Sequence, residues 1–195
     1  MTKKQKKIRM ISIGITALVF IAITSFNVEA GRKQPKSKVA LAPAQQQETK
    51  AVARGTGYHV NKDYDLVPND DKTPANVVLI TIDDGPTKYA KDMRITLAKH
   101  NVKAIFFVNG VHDKGAPGVI EADFKAGHAI ANHTWNHPNL SKIKDEKVDT
   151  EIATDSALIK KITGSNPRFF RAPFGVSTPY AKEVVKKNNM IFMNW

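Results

Sequence analysis

Four polar side chains come directly after predicted strands and could together carry out metal-assisted hydrolysis. Asp83 and Asp84 follow one apolar run, and His133 and His137 follow another. Since parallel strands bring their carboxyl ends to one face, residues about 50 positions apart can converge there. A carboxylate and two imidazoles form a three-ligand set that leaves a metal ion open to water. A divalent ion held in this way acidifies water and polarises a carbonyl, so the pattern predicts a hydrolytic metal site.

Each of these motifs also has a plainer explanation when it is taken alone. Asp83-Asp84-Gly85-Pro86 is typical of a solvated turn, because Gly and Pro favour turns. His133 and His137 could be two unrelated polar residues, since H-x-x-x-H spacings also arise by chance. Arg171 could orient a carboxylate by a bidentate contact, or it could be an ordinary surface residue. The other histidines show no such arrangement, and we expect them at the surface or in loops: His59, His100, His112 and His128.

From residue 76 onward, strand and helix patterns alternate. This alternation predicts an α/β domain of parallel strands joined by right-handed crossovers, which leaves a doubly wound sheet or a (β/α) barrel. The predicted strands are 77–82, 104–108, 129–131, 168–171 and 190–194. The predicted helices are 88–99, 117–126, 144–163 and 178–188.

The chain begins with a pattern typical of export. Lysines and an arginine between Lys3 and Arg9 precede Met10–Phe26, which contains 17 uncharged and mostly apolar residues. Small residues at Val28 and Ala30 suit cleavage after Ala30. Residues 1–30 are therefore predicted to be a cleaved signal peptide, with an uncleaved membrane anchor as the alternative. Both predict that the rest of the chain is exported, either secreted to the cell wall or anchored at the outer face of the membrane.

Residues 31–75 are polar, with few large apolar side chains. This composition predicts a flexible linker, followed by a domain at 76–195. Within the linker, Tyr58–Val60 and Tyr64–Val67 could dock on the domain as short extended pieces.

Residues 1–40 carry nine Lys/Arg against Glu29, a net charge of +8, so residues 41–195 supply only +4 of the total of +12. That distribution argues against a nucleic-acid partner. The chain has no cysteine, so a metal must be held by His and carboxylate groups.

Three motifs occur in the order seen in the polysaccharide deacetylases, the NodB-homology domain of carbohydrate esterase family four. Thr81–Pro86 resembles the first motif, T-F-D-D-G-P, with Ile82 in place of the usual Phe. His133–Pro138 resembles the second, H-[ST]-x-x-H-P, and Arg171–Gly175 resembles the third, R-x-P-[FY]-G. Three ordered motifs are far more specific than any one of them, so the resemblance outweighs the plainer explanations.

The resemblance implies a distorted (β/α) barrel, incomplete here with about five β/α units. It also implies deacetylation of N-acetylated sugars in peptidoglycan or chitin-like polysaccharide, with release of acetate. Asp84, His133 and His137 would bind a divalent metal, which in this family is commonly zinc. The membrane would be contacted only through the N-terminal signal or anchor.

The resemblance further assigns roles around the metal. Asp83 would be the general base, and Arg171 would orient it. The backbone N–H of Phe174 would help to stabilise the tetrahedral oxyanion. Pro173 would contribute to the substrate-binding surface.

Two later motifs of the family are not matched, one rich in Asp and Trp and one a Leu-x-His that carries the catalytic acid. No histidine follows His137. We therefore expect a C-terminally truncated deacetylase, and loss of general acid catalysis typically costs about 10²–10⁴-fold. Three hypotheses remain open: a working deacetylase, with completion by another chain as one route; a catalytically impaired, wall-associated metal-binding remnant; and an inert remnant that folds poorly.

Overall fold

A six-stranded parallel sheet carries the predicted alternation of strands and helices. The computed structural model describes residues 11–13 and 57–194. Its strands are β1 (Ile11–Ile13), β2 (Tyr58–Val60), β3 (Leu66–Pro68), β4 (Ile80–Gly85), β5 (Ala104–Val108), β6 (Ala129–Asn132), β7 (Phe169–Arg171) and β8 (Ile191–Met193). Its α-helices are α1 (Ala90–Lys99), α2 (Val119–Lys125), α3 (Asp145–Thr163) and α4 (Pro179–Lys187). Three 3₁₀ segments lie at Gly110–Gly115, Leu140–Lys142 and Pro173–Gly175.

The order of the strands decides between the two architectures that the sequence left open. The sheet runs β1-β4-β5-β6-β7-β8, so β4 to β8 lie side by side in chain order. A doubly wound sheet reverses its strand order at a switch point, and no reversal occurs between β4 and β8. The described strands therefore have the barrel-like arrangement that the family resemblance implied.

The two faces of the sheet differ in what covers them. On one face, Phe106 and Val108 of β5 pack with Ile120 of α2 and Ile159 of α3. Because side chains alternate along a strand, their neighbours Ile105 and Phe107 point to the other face. There they form a separate cluster with Ala131 and Met193, against which Val60, Leu79 and Phe169 pack. The helices thus lie outside the curved sheet, and the second cluster fills its inner side.

The β2–β3 ribbon corrects the predicted end of the linker. These strands pair antiparallel, and Val60 of β2 packs on the inner cluster. The ring of Tyr64 lies 5.7 Å from that of Phe192. Residues 57–75 are therefore part of the folded unit, whereas the linker was predicted to run to residue 75. Polar turn residues between short apolar pieces concealed the ribbon, although the docking of two extended pieces was expected.

Strand β1 lies within the segment predicted to direct export. Ile11–Ile13 pairs in parallel with Ile80–Ile82 of β4. The other residues of 1–30, and residues 31–56 of the linker, lie outside the described part of the chain. Among the described helices, none combines the length and apolar character needed to cross a bilayer. The export signal and the anchor both stay predictions.

One of the four histidines expected at the surface or in loops is buried. His59, His100 and His112 are exposed, but only 4% of His128 is accessible. The N–H of Ala104 donates to its Nδ1 at 3.2 Å. Its ring lies 5.2 Å from that of Phe106, nearly edge-on. His128 thus belongs to the core between β5 and β6, because a ring nitrogen satisfies the first N–H of β5.

Candidate metal centre

The end of β4 presents two neighbouring carboxylates in different directions. The sequence suggested that Asp83 and Asp84 follow this strand, but they lie within it, immediately before its last residue, Gly85. The register with β5 shifts between Ile82 and Gly85, and Asp84 has a φ of +62°. Bulges of this kind re-aim side chains next to functional sites. The side chain of Asp83 is 12% exposed and that of Asp84 is 50% exposed, so one faces the interior and the other the solvent.

Asp84, His133 and His137 form a group that can hold a metal ion. The Nε2 atoms of His133 and His137 lie 3.5 Å and 3.2 Å from Oδ1 of Asp84. One ligand atom from each residue lies within 4.8 Å of those of the other two. Two imidazole nitrogens and a carboxylate oxygen are the donors of a hydrolytic zinc site. The residues present therefore fit a divalent metal.

The buried ring of His133 is fixed in the tautomer that a metal ligand needs. Its Nδ1 lies 2.8 Å from the main-chain oxygen of Arg171. A carbonyl oxygen only accepts, so Nδ1 carries the hydrogen and Nε2 keeps its lone pair toward Asp84. Burial lowers the pKa of His133, against the opposing charge of Asp83. The neutral ring is the form that binds metal.

Arg171 is fully buried and holds Asp83 in place. Its Nη1 donates to Oδ1 of Asp83 at 2.8 Å and to Oγ1 of Thr81 at 2.9 Å. Its Nη2 donates to the main-chain oxygen of Asn194 at 3.2 Å, and its guanidinium lies 4.2 Å from the centre of the Phe107 ring. Burial lowers the pKa of Arg171, and the carboxylate of Asp83 opposes that shift. The carboxylate thus has a fixed orientation beside the metal group.

The contact between Arg171 and Asp83 also spans the inner face of the sheet. Arg171 belongs to β7 and Asp83 to β4, and β5 and β6 lie between them. In a flat sheet, three strand spacings amount to about 14 Å, which is longer than an arginine side chain. The sheet must curl for this ion pair to form, as a barrel requires.

The third motif forms a turn beside His137. The Phe174 ring lies 4.7 Å from the His137 ring, and Phe174 is 60% exposed. Pro173 is buried, so Phe174 supplies the exposed surface of this turn. The roles of the Phe174 N–H at the oxyanion and of Pro173 toward substrate stay predictions.

Unusual backbone conformations are concentrated in the three motifs. Within the described residues, seven non-glycine residues have a positive φ, and four of them belong to the motifs: Asp84, Thr134, His137 and Phe174. Such conformations persist only where the surroundings determine them, and they cluster at functional sites.

Asn109 is a supporting residue that the sequence did not reveal. It is fully buried after β5, and its Nδ2 donates to the main-chain oxygens of His133 at 2.7 Å and Thr134 at 3.0 Å. Its own N–H donates to the oxygen of Gly85 at 2.8 Å. Asn109 therefore ties the second motif to the first. A polar residue at the end of a fully buried strand was the available signal.

Helix α3 supplies two buried acids that were also missed. Glu151 accepts hydrogen bonds from Asn136, and Oδ1 of Asp155 accepts one from the N–H of Gly110 at 2.8 Å. Burial raises the pKa of Asp155 well above its usual range. Both acids lie on the inward stripe of the helix, whose apolar members are Val148, Ile152 and Ile159. Carboxylates at inward helical spacing were the signal that could have found them.

Comparison with known proteins agrees with this geometry. The polysaccharide deacetylase family model matches residues 70–193. This chain belongs to the polysaccharide deacetylase family. It is 30% identical over 119 residues to a peptidoglycan-N-acetylglucosamine deacetylase of Bacillus cereus. The aligned region covers 60% of this chain and 43% of that protein. It is also 34% identical over 120 residues to a chitooligosaccharide deacetylase of a Bradyrhizobium species. That alignment covers 60% of this chain and 55% of that protein.

A solved carbohydrate esterase structure has a similar fold over the matched part of the chain. The family 4 carbohydrate esterase from Streptomyces lividans, in complex with acetate, superposes with a TM-score of 0.58 at 27% identity. The match covers 60% of this chain and 62% of that one. This chain thus spans about half the length of the curated relatives just named.

Proposed function

We propose that this protein removes acetyl groups from the N-acetylated sugars of a cell-wall or chitin-like polysaccharide. The observation that carries the proposal is the meeting of two units at one end of the sheet. One unit is the carboxylate of Asp83 held by Arg171, and the other is the group of Asp84, His133 and His137. A proton acceptor beside an open metal site is the equipment that amide hydrolysis requires. The two curated relatives, one named for peptidoglycan and one for chitooligosaccharide, support this substrate class.

We propose zinc as the metal that Asp84, His133 and His137 hold. The donors are two imidazole nitrogens and one carboxylate oxygen, the mixture that hydrolytic zinc sites use. A bound divalent ion would polarise the acetyl carbonyl and lower the pKa of a water molecule. Asp84 and His137 are partly exposed, so substrate can reach this side of the site.

The chain's own residues divide the remaining work. Asp83 accepts a proton from water as the water oxygen bonds to the acetyl carbon. Arg171 keeps that carboxylate oriented, because its guanidinium is fixed by Thr81 as well. The N–H of Phe174 donates to the carbonyl oxygen as negative charge develops there. The C–N bond then breaks, acetate leaves, and the sugar nitrogen takes up the proton that Asp83 accepted from water.

We further propose that the protein acts outside the cytoplasmic membrane. The positive and then apolar order of residues 1–30 supports export, with cleavage or anchoring as the two outcomes. Export suits a polysaccharide of the cell wall as substrate.

Acetate release tests the proposed activity. The full chain, loaded with zinc, is incubated with chito-oligosaccharides and with peptidoglycan glycan, and acetate is measured over time. Acetate that appears with either glycan and disappears after chelation supports the proposal. A chain that binds zinc stoichiometrically but releases no acetate from any N-acetylated glycan contradicts it and supports a non-catalytic metal-binding role.

A further inference from the structure

The loop between the two histidines of the candidate metal centre rests on one acidic residue of helix α3. The main-chain N–H of Asn136 donates to Oε2 of Glu151 at 2.7 Å, and Nδ2 of Asn136 donates to Oε1 at 2.9 Å. The N–H of Trp135 donates to the main-chain oxygen of Glu151 at 3.1 Å. One residue of the helix thus accepts three hydrogen bonds from two consecutive residues that lie between His133 and His137.

Glu151 occupies a position that hydrophobic packing alone would give to an apolar residue. It is 1% exposed, on the inward stripe of α3 that also carries Val148 and Ile152. A carboxylate in the core is costly unless its oxygens are bonded. Here the two carboxylate oxygens accept hydrogen bonds from the N–H and the Nδ2 of Asn136, and Nζ of Lys147 lies 3.4 Å from Oε1. The bonds to the loop therefore account for an acid at this place.

The residue that this arrangement positions is His137. Its φ is +58°, a left-handed conformation that a residue with a β-carbon adopts only when its surroundings impose it. Its N–H donates to Oγ1 of Thr134 at 3.1 Å. The residue before it is Asn136, whose N–H and Nδ2 are both held by Glu151. This conformation directs Nε2 of His137 to within 3.2 Å of Oδ1 of Asp84.

The other histidine has separate support. Nδ1 of His133 lies 2.8 Å from the main-chain oxygen of Arg171, and its own main-chain oxygen accepts from Nδ2 of Asn109 at 2.7 Å. Removing the hold of Glu151 should therefore loosen His137 and leave His133 in place. This difference distinguishes a positioning role from a general contribution to the core.

We infer that Glu151 is a positioning residue for the metal centre, because its buried carboxylate holds Asn136 and so fixes His137 toward Asp84 before any ion binds. The inference rests on the proposed function for the identity of the metal group. It concerns a contact within the metal-free chain, which can be tested without activity.

The variant that tests it is Glu151→Gln, with Glu146→Gln as the matched control. Glutamine has the same shape but only one acceptor oxygen. Its NH2 group is itself a donor and would face one of the two Asn136 donors, so one hydrogen bond is lost. Glu146 lies exposed on the same helix. Amide hydrogen exchange is measured on the metal-free full chain. We expect exchange at Asn136 and His137 to be about three- to tenfold faster in Glu151→Gln, the effect of one lost hydrogen bond. Exchange at His133, and all exchange in Glu146→Gln, should match the wild type.

Zinc affinity gives a second readout, by competition with a chromophoric chelator. We expect Glu151→Gln to bind zinc about tenfold more weakly, as is typical when a supporting contact of a metal ligand is lost. Asn136→Ala changes an exposed residue and removes only the Nδ2 donor, so the main-chain N–H still reaches Oε2 and Lys147 still lies 3.4 Å from Oε1. It should weaken zinc binding similarly, and the double variant should be no weaker than either single one, since both changes break one contact.

The outcomes separate this inference from the proposed function. Unchanged exchange at Asn136 and His137 in Glu151→Gln overturns the inference, as do zinc affinities that add independently in the double variant. A wild-type chain that fails to bind zinc contradicts the proposed metal site, and the exchange comparison still decides the inference. If Glu151→Gln does not fold, Asn136→Ala decides it through the same two measurements.

Discussion

The main-chain oxygen of Arg171 lies 2.8 Å from Nδ1 of His133. The side chain of the same arginine donates to Asp83 at 2.8 Å. One residue of β7 therefore orients both a proposed metal ligand and the proposed base. Because both contacts originate from one buried residue, the orientations of His133 and of Asp83, the proposed base, both depend on the end of a single strand.

Asp83→Asn tests the base directly. The amide cannot accept a proton from water, so acetate release should fall by about 10²–10⁴-fold. Zinc affinity should stay within a few-fold of the wild type, because Asp83 is not one of the three residues of the metal group. The control is Asp92→Asn, which changes an exposed residue of α1 and should keep full activity. Retention of activity in Asp83→Asn would assign the base to another residue.

His137→Gln tests the metal group. Loss of one of three protein ligands should weaken zinc binding by at least about 100-fold, more than the loss of an outer contact. The affinity is measured by chelator competition. His100→Gln replaces an exposed histidine of α1's C-terminal end and should bind zinc as the wild type does. Chelation of the wild type should abolish acetate release, and excess zinc should restore it. Equal affinity in His137→Gln would remove this residue from the site.

Gly110→Ala tests the packing beneath the second motif. A β-carbon at Gly110 would clash with the ring of Trp135 and would lie 2.9 Å from Oδ1 of Asp155. We expect the free energy of unfolding to fall by about 1–3 kcal/mol, the usual cost of overpacking. The measurement is urea denaturation.

Gly115→Ala is the matched control for that change. Nothing lies within 4 Å of a β-carbon at Gly115, in the same 3₁₀ segment. Its effect should stay within about 0.5 kcal/mol. Equal losses in the two variants would mean that the contact with Trp135 and Asp155 does not limit stability.

His128 should make stability fall on mild acidification. Burial, followed by the charges of Lys103 and Arg94, lowers the pKa of His128 below 6.5. The unfolded chain then takes up a proton at a higher pH than the folded chain does. Stability that is present above pH 6.5 is therefore lost as the pH falls from there toward the folded pKa.

His128→Gln should reduce the drop in melting temperature between about pH 7.5 and about pH 5.5, the range in which histidine titrates. His100→Gln, which removes an exposed imidazole, should leave the wild-type drop unchanged. The comparison uses thermal denaturation followed by circular dichroism at both pH values. An identical drop in wild type and His128→Gln would show that this histidine does not couple folding to pH.

The sequence predicted those parts of the fold that local pattern determines. The bounds of β5 were predicted without error, because Ala104–Val108 is apolar throughout and is followed by Asn109 and Gly110. The helix end before Gly164 was also predicted, since that residue has a φ of +80°, which favours glycine. β4 was placed three residues early because the apolar run begins at Val77, whereas the strand continues through Asp83 and Asp84. A register shift depends on the neighbouring strand and leaves no local signal.

The supporting contacts of the candidate site were beyond the sequence for a related reason. Acidic residues in a helix are usually solvated, so Glu151 and Asp155 were not assigned to the interior. Their burial follows from donors on other elements, namely Asn136 and Gly110. The motifs located the residues that would touch the metal and the water, because those residues adjoin predicted strand ends. The residues that hold them became visible only when the helix and the loops were brought together.

The contact of Arg171 with Asp83 and Thr81 has a mechanical consequence. It joins β7 to β4 across two intervening strands, so it can exist at only a narrow range of sheet radii. The radius of the sheet and the position of Asp83, the proposed proton acceptor, are therefore coupled. A substitution that flattened the sheet, even one far from the metal, would draw Asp83 and Arg171 apart. The rate of acetate release would then serve as a measure of curvature.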